Sequence, residues 1–396
     1  MAAVVVPSSM QISITVVGNK NGKRMSSHNR QILKLKSRKT FKTRASFEDV
    51  NFSTAKVVTI RYSDLAETSA DFSEELEAGF GPNGLGIIAI SDVPNYPKLR
   101  KNLLQLSHRL AALPDDAKKN LEDPDSRYSF GWSHGKEKLE SGQPDKFKGS
   151  FYANPIVDVP TNVEDLIQRY PSYCRENVWP KSTLPELELA FKDLGKLIFN
   201  VGSLLAAHCD KYVAKQNWDA PSLKDILGRS LCHKGRLLHY FPIVQSDNNS
   251  TPWCGWHTDH GSLTGLTSAM YMKGDSEVNC PDNTAGLYIK TRTNAVVKVS
   301  YGENNIAYQV GEATEILSNG LFHATPHCVK TAKGEKASGI ERNTFALFMQ
   351  PNWDEPMYNL VSVAYLHKEL MKSNGSMPFG DYSEQLLNKY YGLHSP

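Results

Sequence analysis

The most regular pattern of hydrophobic positions in the chain predicts one long amphipathic helix. Thr183 and Glu186 have the spacing of a capping box, and Pro185 suits a first turn, so the helix is predicted to begin at Thr183. Apolar residues then recur at steps of three and four, as on one face of an α-helix, at Leu187, Phe191, Leu194, Ile198, Val201 and Leu205. This continuous stripe predicts a helix that packs on the core along most of its length.

Before that helix, the pattern alternates between strand and helix. Residues 57–62 and 84–90 are rich in valine and isoleucine and predict strands, whereas residues 71–79 predict a helix between them. This part of the chain is therefore expected to be a mixed region.

After about residue 229 the chain changes to short apolar segments separated by turn residues. The segments that predict strands are residues 236–241, 256–267, 286–290, 295–299, 315–317 and 343–350. Such a series is typical of a jelly roll, and residues 381–390 predict a closing helix. The expected fold class is mixed α/β (α+β), with a double-stranded β-helix core, flanking helices and the long helix before the core.

The first 47 residues differ from the rest in charge. They contain ten lysines and arginines, many serines and threonines, and no acidic residue. This composition is typical of an organelle transit peptide and lacks the apolar segment of a secretory signal. The sequence therefore predicts a disordered transit peptide over residues 1–47 and a location in the chloroplast stroma. A basic arm that binds nucleic acid is the alternative.

The remaining sequence is expected to comprise a mixed region (48–228), the jelly-roll core (229–352) and a helical extension (353–396). Removing the ten N-terminal charges from the formal net charge of +3 leaves about −7, which argues against nucleic-acid binding. No apolar run approaches the length of about 18 residues that predicts a membrane span. The six cysteines show no C-x-x-C spacing, so free thiols are expected.

Candidate metal chemistry begins in the segment Trp256-His257-Thr258-Asp259-His260. In a strand, residues two apart project from the same face, so His257 and Asp259 can reach one cation. Two histidines and one carboxylate can hold iron(II) and leave positions open for oxygen and a chelating co-substrate. Alone, H-x-D is a weak signal in a chain with 12 histidines.

The surrounding sequence resembles the plant-type iron(II)- and 2-oxoglutarate-dependent oxygenases, a superfamily that also includes isopenicillin-N-synthase-like enzymes. The family's G-L-Q-V, V-G-D, S-N-G and R-x-S motifs are similar to Gly286-Leu287-Tyr288-Ile289, Val310-Gly311-Glu312, Ser318-Asn319-Gly320 and Arg342-Asn343-Thr344. The resemblance covers nearly everything after about residue 56 and implies the same jelly-roll fold.

The resemblance also implies roles for individual residues. His327 stands where the family has the histidine of H-R-V, and it would complete an iron site with His257 and Asp259. Arg342 would bind the distal carboxylate of 2-oxoglutarate through two parallel hydrogen bonds, and Thr344 would add a hydroxyl.

Other histidines offer alternatives. His323 is the rival third ligand, because four residues of separation from His327 put both on one strand face. His260 is expected to be a packed or hydrogen-bonded imidazole. A zinc hydrolase with an H-x-H-x-D-H motif would need a histidine at position 255, where this chain has Gly255.

The implied activity is a dioxygenase reaction. Iron(II), 2-oxoglutarate and oxygen would hydroxylate or desaturate a small-molecule metabolite, with release of succinate and carbon dioxide. An iron-dependent oxidase that does not use 2-oxoglutarate and a catalytically lapsed binding protein are the alternatives. The expected partner is a small-molecule substrate, with no nucleic acid and no membrane, and the expected state is a monomer.

One segment departs from the family pattern. The family reads L-N-Y-Y-P, and its second tyrosine donates a hydroxyl to 2-oxoglutarate, whereas this chain reads Leu238-His239-Tyr240-Phe241-Pro242. This alignment places Phe241 at the donor position and turns Tyr240 away from the site. It predicts that 2-oxoglutarate binds weakly and that Phe241→Tyr lowers the KM for 2-oxoglutarate.

Overall fold

The computed structural model describes residues 53–137, 143–216, 220–242, 254–358 and 375–391, so the predicted transit peptide lies outside the described residues. Its α-helices are α1 (Tyr62–Leu65), α2 (Ser73–Phe80), α3 (Tyr96–Ala111), α4 (Asp115–Lys119), α5 (Glu164–Arg169), α6 (Pro171–Cys174), α7 (Glu186–Lys215), α8 (Leu223–Arg229), α9 (Glu312–Leu317) and α10 (Phe379–Tyr391). A 3₁₀ turn covers Glu335–Ala337.

The strands lie mainly in the second half of the chain. They are β1 (Thr54–Lys56), β2 (Val58–Arg61), β3 (Ile87–Ser91), β4 (Gly131–His134), β5 (Lys148–Ala153), β6 (Lys234–Tyr240), β7 (Cys254–His257), β8 (Leu263–Thr267), β9 (Met270–Lys273), β10 (Ser276–Val278), β11 (Gly286–Lys290), β12 (Val296–Ser300), β13 (Ile306–Val310), β14 (His327–Lys330), β15 (Glu341–Met349), β16 (Pro356–Tyr358) and β17 (Ser376–Pro378).

Two sheets form the core. The smaller has the order β1-β12-β11-β14-β7, and the larger has the order β2-β3-β13-β8-β15-β6-β5-β4, with β9 beside β15 and β10 beside β9. Ile87 and Ala307 of the larger sheet pack in one apolar cluster with Ile289 and Val299 of the smaller sheet. Two facing sheets with flanking helices confirm the predicted jelly-roll fold class. Strands from residues 48–228 extend both sheets.

The long helix α7 packs against the larger sheet. All six residues of the predicted stripe are buried, which confirms the expected core-facing side. A side chain at Gly202 would collide with Met349 and Tyr308, so this glycine lets the helix approach the sheet closely. The predicted start is wrong: α7 begins at Glu186 without a side-chain cap. The amides of Thr183 and Leu184 instead donate to the carbonyl of Pro180, in a turn that precedes the helix.

Two other predicted strands have different structures. Residues 315–317 belong to helix α9, in which every residue is buried, so the short apolar run carried no periodicity that could separate strand from helix. The segment 256–267 is interrupted after His257 and resumes as β8 at Leu263. The predicted closing helix is confirmed as α10. No helix among the described residues is long and apolar enough to span a membrane.

Candidate metal and co-substrate site

His257 and His327 face each other across two antiparallel strands of the smaller sheet. His257 ends β7, His327 begins β14, and the two residues are direct partners in the strand register. Their ring centroids lie 4.1 Å apart. Asp259 lies two residues beyond the end of β7, and its Oδ1 is 3.9 Å from Nε2 of each histidine. The turn after β7, rather than the alternation of side chains along a strand, brings the carboxylate to the histidines.

These three side chains form a donor set that fits a metal ion. One ligand atom from each lies within 4.8 Å of the others, and all three residues are buried. A separation of 3.9 Å exceeds the roughly 2.7–3.2 Å of a hydrogen bond, so the carboxylate forms no direct hydrogen bond with either Nε2, and the three ligand atoms are near enough to converge on one ion. Two imidazole nitrogens and one carboxylate oxygen match the ligand set of non-haem iron(II) oxygenases.

The hydrogen bonds of both histidine rings leave Nε2 available for the ion. Nδ1 of His257 lies 2.8 Å from the carbonyl of Gly255, and Nδ1 of His327 lies 3.2 Å from the carbonyl of Thr325. Burial lowers the pKa of His327 to about 4 and also lowers the pKa of His257. Both rings are therefore neutral near pH 7, the form in which imidazole binds a metal.

Helix α9 supports the turn that carries Asp259. The amide of Glu312 donates to the carbonyl of Asp259 at 2.8 Å. The Glu312 carboxylate accepts hydrogen bonds from the hydroxyls of Thr258 and of Tyr382 in α10. A side chain at Gly311 would collide with the backbone of this turn, so glycine permits the close approach. Glu312 thus links the metal-site turn to the C-terminal helix.

The two remaining candidate histidines lie outside the cluster. Nδ1 of His323 lies 3.0 Å from the carboxylate of Glu315, beside Arg292. Nε2 of His260 lies 3.0 Å from the Ser383 hydroxyl and 3.3 Å from that of Tyr173. Both have hydrogen-bond partners that tie them to neighbouring elements.

Arg342 lies in the same cavity as the His-Asp-His cluster. It is buried on β15, and the register places it opposite Tyr240 of β6 and Tyr271 of β9. Its guanidinium carbon is 4.8 Å from the centroid of the Tyr240 ring. Thr344, two residues along the same strand, also lines the cavity, as does Tyr301. Burial raises the pKa of Tyr301 to about 12, so its phenol is neutral.

The structure corrects the alignment of the Leu238–Pro242 segment. Leu238 and Tyr240 line the cavity, and they pair with Thr344 and Arg342 across β6 and β15. Phe241 follows the end of β6 and packs between His134 and His239. The prediction that Phe241 faces the site and Tyr240 turns away from it is therefore wrong, because Tyr240 lines the cavity beside Arg342.

Sequence reasoning missed several contributors to the site. Tyr240 could have been found from the alternation of Arg236, Leu238 and Tyr240 along one strand face. Tyr301 has no local signal, since it follows β12 and reaches the cavity only through the fold. Gln309 was also missed, and its amide lies 2.7 Å from Nδ1 of His327.

Comparison with known proteins identifies the fold. No family model matches the chain. It is 22% identical over 251 residues to scopoletin 8-hydroxylase from Arabidopsis thaliana, an alignment that spans 63% of this chain and only 58% of that relative.

Solved structures cover more of the chain. A full-length Neurospora crassa protein, crystallised in complex with alpha-KG, has a TM-score of 0.61 and 19% identity over 84% of this chain and 96% of that one. A 2OG-Fe(II) oxygenase family protein from Caulobacter crescentus has a TM-score of 0.62 and 18% identity over 84% and 98%. The chain has the fold of the 2-oxoglutarate- and iron(II)-dependent oxygenases.

Proposed function

We propose that this chain is an iron(II)- and 2-oxoglutarate-dependent dioxygenase that hydroxylates or desaturates a small-molecule metabolite and releases succinate and carbon dioxide. The observation that carries the proposal is that one cavity contains both the His257, Asp259 and His327 cluster and the guanidinium of Arg342. The cluster supplies a metal site, and the arginine supplies a site for a dicarboxylate. Two similarities support this proposal: the sequence is similar to scopoletin 8-hydroxylase, and the fold is similar to that of the Neurospora crassa protein crystallised with alpha-KG.

The three proposed metal ligands lie together before an ion binds. Iron(II), held by His257, Asp259 and His327, would supply oxygen activation at the positions that the protein leaves open. The protein holds both imidazoles neutral by burial and fixes their orientation through carbonyls of Gly255 and Thr325. Both rings therefore present Nε2 to the side of the Asp259 carboxylate before an ion binds.

The opposite end of the cavity is built for an anion. The planar guanidinium of Arg342 can donate two parallel hydrogen bonds to the distal carboxylate of 2-oxoglutarate. The hydroxyls of Tyr240 and Thr344 lie on the same cavity face and can add further donors. Because these groups are buried, their attraction for a carboxylate is weakly screened. This arrangement would fix the orientation of the co-substrate.

The rest of the cavity is largely apolar. Residues from both sheets contribute to its wall, namely Leu238, Leu266, Leu287, Val329 and Phe348. Such a wall excludes water from the reacting atoms and offers an apolar surface to an organic substrate. This apolar wall supports the proposal of a small organic substrate.

Product analysis tests this proposal. Purified protein with iron(II), 2-oxoglutarate and oxygen is expected to release succinate, and Asp259→Ala is expected to release none. A wild-type protein that binds iron and consumes oxygen without forming succinate would indicate the oxidase alternative. A protein that binds neither iron nor 2-oxoglutarate would overturn the enzyme assignment.

We further propose that residues 1–47 direct import into the chloroplast stroma and that the mature protein is a monomer. The basic, acid-free composition of this segment supports import. A fluorescent reporter fused to residues 1–47 is expected to enter plastids, and a reporter retained in the cytosol would refute the proposal. Light scattering of the protein without residues 1–47 is expected to give the mass of one chain, and the mass of a dimer would refute the monomer proposal.

A further inference from the structure

Gln309 is a buried amide that contacts a metal-site histidine from the opposite sheet. It lies on β13 of the larger sheet and is fully buried. Its Nε2 lies 2.7 Å from Nδ1 of His327, which belongs to β14 of the smaller sheet. Among the described residues, no hydrogen-bond partner is found for its Oε1. The amide therefore spans the layer between the sheets and ends at the imidazole.

The chemistry of His327 decides which amide atom must face the ring. A neutral imidazole that offers the Nε2 lone pair to a cation carries its proton on Nδ1. Two N–H groups cannot form a hydrogen bond with each other, so the amide of Gln309 must present its oxygen to Nδ1. Exchange of the two amide ends requires only rotation about the last side-chain bond. In that orientation Oε1 of Gln309 accepts from Nδ1–H of His327.

We propose that Gln309 is a positioning residue that fixes the tautomer and the ring orientation of His327. The inference rests on the proposed function only in requiring that the cluster binds a divalent metal. A partner on the non-coordinating nitrogen commonly orients a histidine ligand, and its loss weakens metal binding about 10- to 100-fold. Here the partner comes from the larger sheet, so the contact links the two sheets beside the metal site.

The two histidine ligands differ in their need for such a residue. His257 has the carbonyl of Gly255 at 2.8 Å from Nδ1, which is a short backbone contact. His327 has a longer backbone contact, 3.2 Å to Thr325, and depends more on the amide. The partners of Gln309 in the sheet are Ile87 on β3 and Thr264 on β8, and Ala307 on the same strand face packs with Ile289 and Ile87. Among the described residues, the contact with His327 is the hydrogen bond found for the Gln309 side chain, which singles out this bond as the reason for an amide.

The test combines nitrogen NMR with metal titration of the full chain. In metal-free wild-type protein at pH 7.5, the proton of His327 is expected on Nδ1. Cobalt(II), a probe that avoids iron oxidation, is expected to bind Gln309→Leu at least tenfold more weakly than wild type. Gln309→Glu keeps an acceptor and is expected to retain wild-type affinity. A matched control is Gln350→Leu, because Gln350 is equally buried but donates to the carbonyl of Cys232.

The possible results separate the role of Gln309 from the dioxygenase activity. An Nε2 proton on His327 in the wild-type protein would overturn the proposal without any variant, so it stays testable if Gln309→Leu does not fold. Equal cobalt affinity in wild type and Gln309→Leu would also overturn it. Tight cobalt binding with the expected tautomer but no succinate release would count against the dioxygenase proposal alone.

Discussion

The two ends of the cavity differ in the charge that they accept and in how the chain builds them. The metal end presents two neutral imidazoles and a carboxylate, His257, His327 and Asp259, which are suited to a cation. The other end presents Arg342 beside Tyr240, a cation and a phenol, which are suited to an anion. A metal ion and a dicarboxylate thus have separate sites on facing sheets, and each site can be disrupted without direct loss of the other.

The largest expected effect is at the metal end. His257→Ala, Asp259→Ala and His327→Ala are each expected to abolish turnover and to weaken iron binding, because each removes one of three protein ligands. Iron content after anaerobic loading and succinate release measure the two losses. His323→Ala is the control, since His323 bonds to Glu315 outside the cluster. Iron loss in His323→Ala with full binding in His327→Ala would reverse the assignment.

A large but separable effect is expected at the anion end. Arg342→Leu removes two charge-assisted hydrogen bonds, each worth about 1.5–3 kcal/mol, so the KM for 2-oxoglutarate should rise on the order of 100-fold or more. Iron affinity should stay unchanged. Arg109→Leu is a matched control, because Arg109 forms a solvent-exposed ion pair with Glu186. A loss of iron affinity in Arg342→Leu would show that the two ends are not independent.

A smaller effect is expected at Tyr240, and it tests whether Tyr240 rather than Phe241 contacts the co-substrate. Tyr240→Phe removes one hydroxyl beside Arg342, which should raise the KM for 2-oxoglutarate about tenfold if the hydroxyl donates to the carboxylate. Phe241→Tyr should leave this KM unchanged, because Phe241 packs against His134 and His239 outside the cavity. Steady-state kinetics of both variants measure these KM values. A lower KM for 2-oxoglutarate in Phe241→Tyr would show that position 241, not Tyr240, faces the co-substrate.

The two ends also differ in how far the sequence could predict them. The sequence proposed His257 and Asp259 from their spacing and His327 from a motif, and the structure brings these three side chains together, although a turn rather than strand alternation positions Asp259. Tyr240 and Arg342 are far apart in the chain, and their contact depends on the register of β6 against β15. A shift of one residue moves every side chain of a strand to the other face, so aligning Phe241 instead of Tyr240 with the donor position predicts the wrong residue in the cavity. Tyr301 and Gln309 reach the site only through sheet packing, which local sequence does not encode.

The last expected effect is on stability rather than on catalysis, and it concerns pH and the metal end. A histidine titrates near 6.5 in the unfolded chain, whereas burial lowers the pKa of folded His327 to about 4. Between these values the unfolded chain binds a proton that the folded chain does not. The free energy of unfolding of the metal-free protein should therefore fall as pH falls from about 6.5 to 4.

Urea unfolding at several pH values within this window measures the slope. His327→Gln should make the slope shallower without abolishing it, because His233 is buried with a pKa also lowered to about 4. An unchanged slope in His327→Gln would show that His327 does not remain neutral in the folded protein.

The central claim is that one cavity holds iron(II) at His257, Asp259 and His327 and 2-oxoglutarate at Arg342. The most direct test is to add iron(II) and then 2-oxoglutarate to the purified protein without oxygen and to record the visible spectrum. We predict the charge-transfer band of a 2-oxo acid chelated to iron(II), and its loss in Asp259→Ala. A spectrum of the iron-loaded wild-type protein that does not change on addition of 2-oxoglutarate would contradict the claim.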